Sequence, residues 1–213
     1  MHQRLSLLRT SQGFALVELL IAVTLFGVIT AFVLFSYQKV SEQLFMTTLA
    51  FETALSLRQA QSYGVSVRQF GSGADAFEAA YGVHFDRATA DRFVFFADSD
   101  KNGRYTSGGD DSTGCLRGAG SECVSVYRIE KGNLIEKFCA TRASGDGEEC
   151  TSGTPTTITV LDVMFLRPNP DALFWTSQSQ FGTTYRSATI HLISPSSLRR
   201  TVEVWNTGQI SIK

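Results

Sequence analysis

The most chemically distinctive stretch of the sequence is a run of oxygen-bearing side chains that follows a predicted strand. Asp98, Asp100 and Asn102 occupy alternate positions before Gly103, and Asp110 comes further along. Alternating oxygen ligands before a glycine form the first half of a calcium loop, but the bidentate acid of such a loop would fall at a glycine here. Because Asp and Asn also cap their own turns, we expect an acidic turn, with calcium held by Asp98, Asp100, Asn102 and Asp110 as the alternative.

Four cysteines form a second group, namely Cys115, Cys123, Cys139 and Cys150. An even number predicts disulfides in an oxidising compartment, and the membrane topology described below places this part of the chain in one. Of three connectivities, we expect Cys115–Cys123 and Cys139–Cys150, because each pair closes a local loop between predicted strands. Free buried thiols and a zinc site are the alternatives, although the sequence has no Cys-x-x-Cys pair and no histidine close to these cysteines.

Three arginines near the C-terminus, Arg186, Arg199 and Arg200, are accompanied by Tyr185 and Trp205. Cations beside aromatic rings bind single-stranded nucleic acid in many proteins, so a small DNA-binding patch is one interpretation. We expect the other interpretation, a solvated sheet edge whose charges prevent the addition of a further strand.

The sequence does not predict an enzyme. It contains no Gly-x-Ser-x-Gly, no glycine-rich phosphate loop and no His-Glu-x-x-His. His84 and His191 fall in predicted strands, where histidines more often pack or face solvent than act as bases. We therefore expect neither catalysis nor a bound cofactor.

The apolar residues that must position these groups are unevenly distributed. The chain has 213 residues, of which 43% are hydrophobic, and a formal net charge of −1, which argues against a general polyanion binder. From Phe14 to Phe35 the only strongly polar residue is Glu18. A helix of this length spans about 33 Å, enough to cross a bilayer core of about 30 Å. Arg4 and Arg9 precede the run, so we expect the N-terminal end in the cytoplasm and the rest of the chain outside.

The residues around Glu18 resemble a known signal. A basic leader ends at Gly13, Phe14 follows, and a glutamate lies within the apolar run. This arrangement resembles the signal of type IV prepilins and pseudopilins, and the acidic turn is similar to that of the GspH/FimT-like group among them. The resemblance implies that a prepilin peptidase cleaves between Gly13 and Phe14 and methylates the Phe14 amine. It also implies that this amine pairs with Glu18 of a neighbouring subunit during filament assembly, which offsets the burial of both charges.

The helical pattern continues beyond Phe35 and becomes amphipathic. The apolar residues that recur at helical spacing, and that are predicted to be buried, are Val40, Leu44, Thr47, Phe51, Ala54 and Leu55. Gly64 is expected to end the helix. We therefore divide the chain into a leader at 1–13, a transmembrane and assembly helix at 14–35, its amphipathic continuation at 36–63 and a β-rich domain at 64–213.

Short β-rich runs follow, separated by loops rich in Gly, Ser, Asp and Thr. The predicted strands cover residues 79–85, 92–97, 124–129, 134–140, 157–166, 187–193, 201–205 and 209–212. An antiparallel sheet packed on the amphipathic half of the helix would bury both apolar faces, giving an α+β domain. This is also the type IV pilin fold that the resemblance implies.

The sequence thus predicts a structural subunit, a minor pilin or pseudopilin of a type IV pilus or type II secretion filament. The expected location is the bacterial inner membrane, with the β-rich domain outside the cytoplasm. The expected partners are prepilin peptidase and other pilin subunits. The alternative is a membrane-tethered extracytoplasmic binding module, either a DNA-binding competence pilin or a calcium-binding adhesin.

Overall fold

The computed structural model describes residues 15–66, 68–71, 77–109, 111, 114–115, 120–145, 147–152, 158–179 and 184–213. The predicted leader, Gly13, Phe14 and Asp110 lie outside these residues. The structure separates into two compact units, with the boundary between Glu42 and Gln43.

Helix α1 covers Leu16–Val65, a single element of 50 residues. In the first unit, the side chains of residues 16–37 are all exposed. By length and composition this part of α1 is able to cross a membrane. The predicted long helix with an apolar first half is therefore present.

The helix does not end at Gly64, as the sequence pattern predicted, but one residue later, at Val65. Gly64 instead allows a close approach between α1 and the sheet. A Cβ atom added at Gly64 would lie 2.2 Å from the carbonyl oxygen of Phe165. Glycine is needed here because the backbone of another element occupies the space of a side chain.

Beyond α1, the described part of the second unit contains a short 3₁₀ helix, Arg87–Thr89, and ten strands. They are β1 Ala80–Asp86, β2 Arg92–Asp98, β3 Cys123–Arg128, β4 Leu134–Arg142, β5 Glu148–Cys150, β6 Val160–Phe165, β7 Ala172–Thr176, β8 Tyr185–Ile193, β9 Arg199–Trp205 and β10 Ile210–Ile212. They form two five-stranded sheets with the orders β3-β2-β1-β6-β7 and β10-β9-β8-β4-β5. Every strand pair is antiparallel, so the predicted α+β class is confirmed, with two sheets where the sequence suggested one.

The sequence pattern did not predict β5 and β7. β5 has only three residues, two of them glutamates, and therefore lacks the apolar alternation that identifies a strand. Its register with β4 places Cys150 opposite Cys139. β7 pairs with β6 along its whole length, from Ala172 to Thr176. Both strands are defined by their partners rather than by a strong pattern of their own.

The core of the second unit lies where α1 packs on the two sheets. Alternate residues of the inner strands are fully buried, for example Val83 and Phe85 on β1 and Ile190 and Leu192 on β8. Each such side chain contributes about 1.5–3 kcal/mol relative to an exposed position. The helix adds Met46, Leu49, Ala50, Ala54, Leu57 and Ala60.

The prediction of which α1 residues are buried is largely wrong. Val40, Leu44, Phe51 and Leu55 are 55%, 63%, 60% and 64% exposed, and of the predicted set only Ala54 is buried. The face that packs on the sheets includes several alanines, which let the helix approach closely. This part of α1 therefore has two apolar faces, and the bulkier one faces outward.

Candidate functional site

The apolar first half of α1 carries a single carboxylate, that of Glu18 in its first turn. Among the residues that the structure describes, this side chain has no hydrogen-bonding or ion-pair partner. The other polar groups of the segment bond within the helix, because Thr24 and Thr30 donate to the carbonyls of Ile21 and Phe26 at 2.9 and 2.8 Å. An ionised group in a membrane span costs a few kcal/mol unless it is paired. A cation placed beside Glu18 would therefore lower the free energy of this segment in a membrane.

The outward apolar face of α1 is the second feature. Within the second unit, Phe51 and Leu55 line a groove of about 390 Å³ together with Arg58 and the β10 residues Ile210 and Ile212. Large apolar side chains on the solvent side of a helix are typical of an interaction surface. We call Leu44, Phe51 and Leu55 the outer apolar face.

Three contacts fix α1 on the sheets and so determine which face is presented. The Gln61 amide donates to the carbonyls of Pro170 and Gly208 at 2.9 and 3.0 Å. The Tyr127 hydroxyl donates to the Glu52 carboxylate. Together with the close approach at Gly64, these bonds fix the orientation of the helix about its own axis.

The acidic turn folds on itself. Asp98 accepts hydrogen bonds from the backbone N–H groups of Asn102 and Gly103 at 3.1 and 3.0 Å, and Asp100 accepts one from Asn102 at 3.0 Å. Gly103 has φ of +76°, the left-handed conformation that such a turn requires. The carboxylates therefore cap the turn, as expected of an acidic turn built from Asp and Asn residues.

Sequence reasoning missed Glu122, the most important acid of this loop. Its buried carboxylate accepts hydrogen bonds from the backbone N–H groups of Ser99, Asp100 and Thr106 at 2.8, 3.3 and 2.8 Å. Burial raises the pKa of Glu122 and also that of Asp98. Oxygens of Asp98, Asp100 and Glu122 lie within 4.8 Å of one another, but all three carboxylates already accept hydrogen bonds from the loop. No motif marks Glu122 in the sequence.

A second buried acid connects this loop to the first sheet. Asp162 on β6 lies opposite His84 on β1, with Oδ1 and Nδ1 2.6 Å apart, and its Oδ2 accepts from the Tyr105 N–H at 3.1 Å. The Tyr105 ring covers His84 and Phe96, with centroid distances of 4.7 and 5.3 Å. His84 thus belongs to the packing of the sheet face beneath the loop.

These raised pKa values predict how stability changes with pH. The folded protein binds protons at Asp98 and Glu122 more readily than the unfolded chain does. The contribution of these two protons to the free energy of unfolding is therefore fully present below the ordinary pKa values of 3.8 and 4.5. It is lost as the pH rises through the raised values. We expect Glu122→Gln to flatten this part of the stability profile, measured by urea unfolding between about pH 4 and 7.

The matched control for this prediction is Glu130→Gln, at an exposed position after β3. Its unfolding profile should run parallel to that of the unmodified protein. A Glu122→Gln profile with the original slope would show that Glu122 is not the linked group.

The basic residues near the C-terminus do not converge. In the register of β8 with β9, Ser187 lies opposite Trp205 and Ile193 lies opposite Arg199, at the other end of the strands. The guanidinium carbon of Arg186 lies over the Trp205 ring, 5.8 Å from the ring centroid. Arg199 forms two hydrogen bonds with Glu136, at 2.8 and 2.7 Å. Arg200 follows Arg199, so Arg186 is separated from both of the other arginines of the predicted patch.

All four cysteines form disulfides, Cys115–Cys123 and Cys139–Cys150. This is the pairing that the sequence predicted, and it leaves no thiolate for a zinc site. Cys115–Cys123 joins a position within the loop after β2 to the first residue of β3. Cys139–Cys150 links β4 to the short strand β5.

Comparison with known proteins identifies the N-terminal segment. Residues 8–34 match the prokaryotic N-terminal methylation motif. No curated protein and no solved structure matches the chain. A methylation motif followed by a long apolar helix is consistent with a type IV pilin or pseudopilin, and the resemblance noted at Gly13, Phe14 and Glu18 rests on the same segment.

Proposed function

We propose that this protein is a structural subunit of a type IV pilus or type II secretion filament, in the role of a minor pilin or pseudopilin. The observation that carries the proposal is the methylation motif at residues 8–34, which leads directly into the apolar half of α1. Cleavage would fall between Gly13 and Phe14, with methylation of the new Phe14 amine. The β-rich unit would then remain outside the cytoplasm, anchored in the inner membrane by α1.

Charge pairing supports assembly through the N-terminal end of the helix. Glu18 has no partner among the described residues, and cleavage after Gly13 would create a cation four residues before it in the sequence. In one chain the Phe14 amine and the Glu18 carboxylate belong to the same short segment. In a filament, the amine of one subunit can instead pair with Glu18 of the next subunit. Pairing between subunits neutralises both charges once the helices are packed together.

The outer apolar face gives assembly a second contact surface. Phe51 and Leu55 are more than half exposed, and most of the residues that line the groove with them are apolar. Burying such side chains against a neighbouring subunit stabilises the contact by about 1.5–3 kcal/mol each. The filament would thus bury both the apolar first half of α1 and the bulky face of its second half.

The decisive experiment is mass spectrometry of the protein purified from membranes. We expect a chain that begins at Phe14, carries one added methyl group and contains two disulfides. An intact leader, or cleavage elsewhere, would support the alternative of a tethered binding module that never assembles. Peptide mapping without reduction would check the two disulfide pairs in the same sample.

The outer apolar face provides an independent prediction. We expect Phe51→Ser to leave the thermal stability of the folded unit nearly unchanged, because the side chain is 60% exposed, but to reduce recovery of the protein in sheared filaments several-fold. The measurement is the ratio of filament to membrane protein on immunoblots.

Two matched variants serve as controls for the Phe51→Ser result. Gln59→Ser changes an exposed polar residue of the same helix and should leave the ratio unchanged. Leu57→Ser changes a fully buried residue and should instead lower the melting temperature. Normal filament recovery of Phe51→Ser would remove the outer apolar face from the assembly surface.

The competing functions receive less support. The separation of Arg186 from Arg199 and Arg200 weakens a DNA-binding role, and the hydrogen bonds within the acidic turn weaken a calcium-dependent one. The choice between pilus and secretion filament depends on the partner subunits. Co-purification of the cross-linked filament would identify them.

A further inference from the structure

We draw no further inference here: the strongest candidate, the cluster of Asp98, Asp100 and Glu122 carboxylates in the loop after β2, already accepts hydrogen bonds from the backbone of that loop, and no second observation among the described residues points to a ligand there.

Discussion

Glu18→Ala is expected to be cleaved and methylated normally but to reach filaments roughly 100-fold less often than the unmodified protein. The substitution makes the membrane segment more apolar, so insertion and cleavage should proceed. The methylated amine of a neighbouring subunit would, however, be buried in the filament without a counter-charge. Leaving one charge unpaired costs about 3 kcal/mol on the milder insertion scales, which corresponds to the stated factor. The measurement is the amount of mature protein in sheared filaments relative to the membrane fraction.

Two variants of the same segment serve as controls. Glu18→Asp retains the charge on a shorter side chain and should recover part of the incorporation. Thr30→Ala removes a hydroxyl whose hydrogen bond stays within the helix, to the Phe26 carbonyl, and should behave like the unmodified protein. Filament incorporation of Glu18→Ala at the unmodified level would disprove the pairing while leaving the protein a filament subunit.

Gly64→Ala is expected to destabilise the second unit by about 2 kcal/mol or more, although alanine favours a helix over glycine by about 1 kcal/mol. The added Cβ would lie 2.2 Å from the oxygen and 2.7 Å from the carbon of the Phe165 carbonyl. Because these are backbone atoms of β6, no side-chain rotation relieves the contact, and the end of α1 must move away from the sheet. The melting temperature of the full-length protein in detergent should fall by roughly 4–8 °C.

Gly27→Ala is the matched control for this variant. It makes the same substitution in the same helix, but among the described residues no atom outside the adjacent turns of the helix lies within 4 Å of the added Cβ. Its melting temperature should equal or slightly exceed that of the unmodified protein. If Gly64→Ala behaved in the same way, the close approach of α1 to β6 would not be a constraint on the fold.

Features encoded by neighbouring residues could be predicted from the sequence. The apolar run, Glu18 and the Gly13-Phe14 step lie within a few positions of one another, so their order alone predicts a membrane helix with a processing signal. The disulfide pairing was also predictable, because each pair closes a short loop. Most strands were recognised for the same reason, since alternation is a local pattern.

Features that depend on which element packs against which could not be predicted in this way. The sequence offers two apolar faces on the second half of α1, and hydrophobicity favours the one containing Leu44, Phe51 and Leu55. The structure buries the other face, because alanines such as Ala50 and Ala60 allow the helix to lie close to the sheets. Glu122 was missed since the backbone N–H groups that donate to its carboxylate lie 16–23 positions earlier in the chain.

By itself, the sequence determined that this protein has a methylation-type N-terminus, a long helix, a β-rich unit and two local disulfides. The tertiary structure alone decided which apolar face of α1 remains exposed, which acids hold the loop after β2, and that Arg186 lies apart from Arg199 and Arg200. The physical reason is that a local pattern fixes the type of an element, whereas its rotation and its partners follow from the shapes of distant surfaces that pack together.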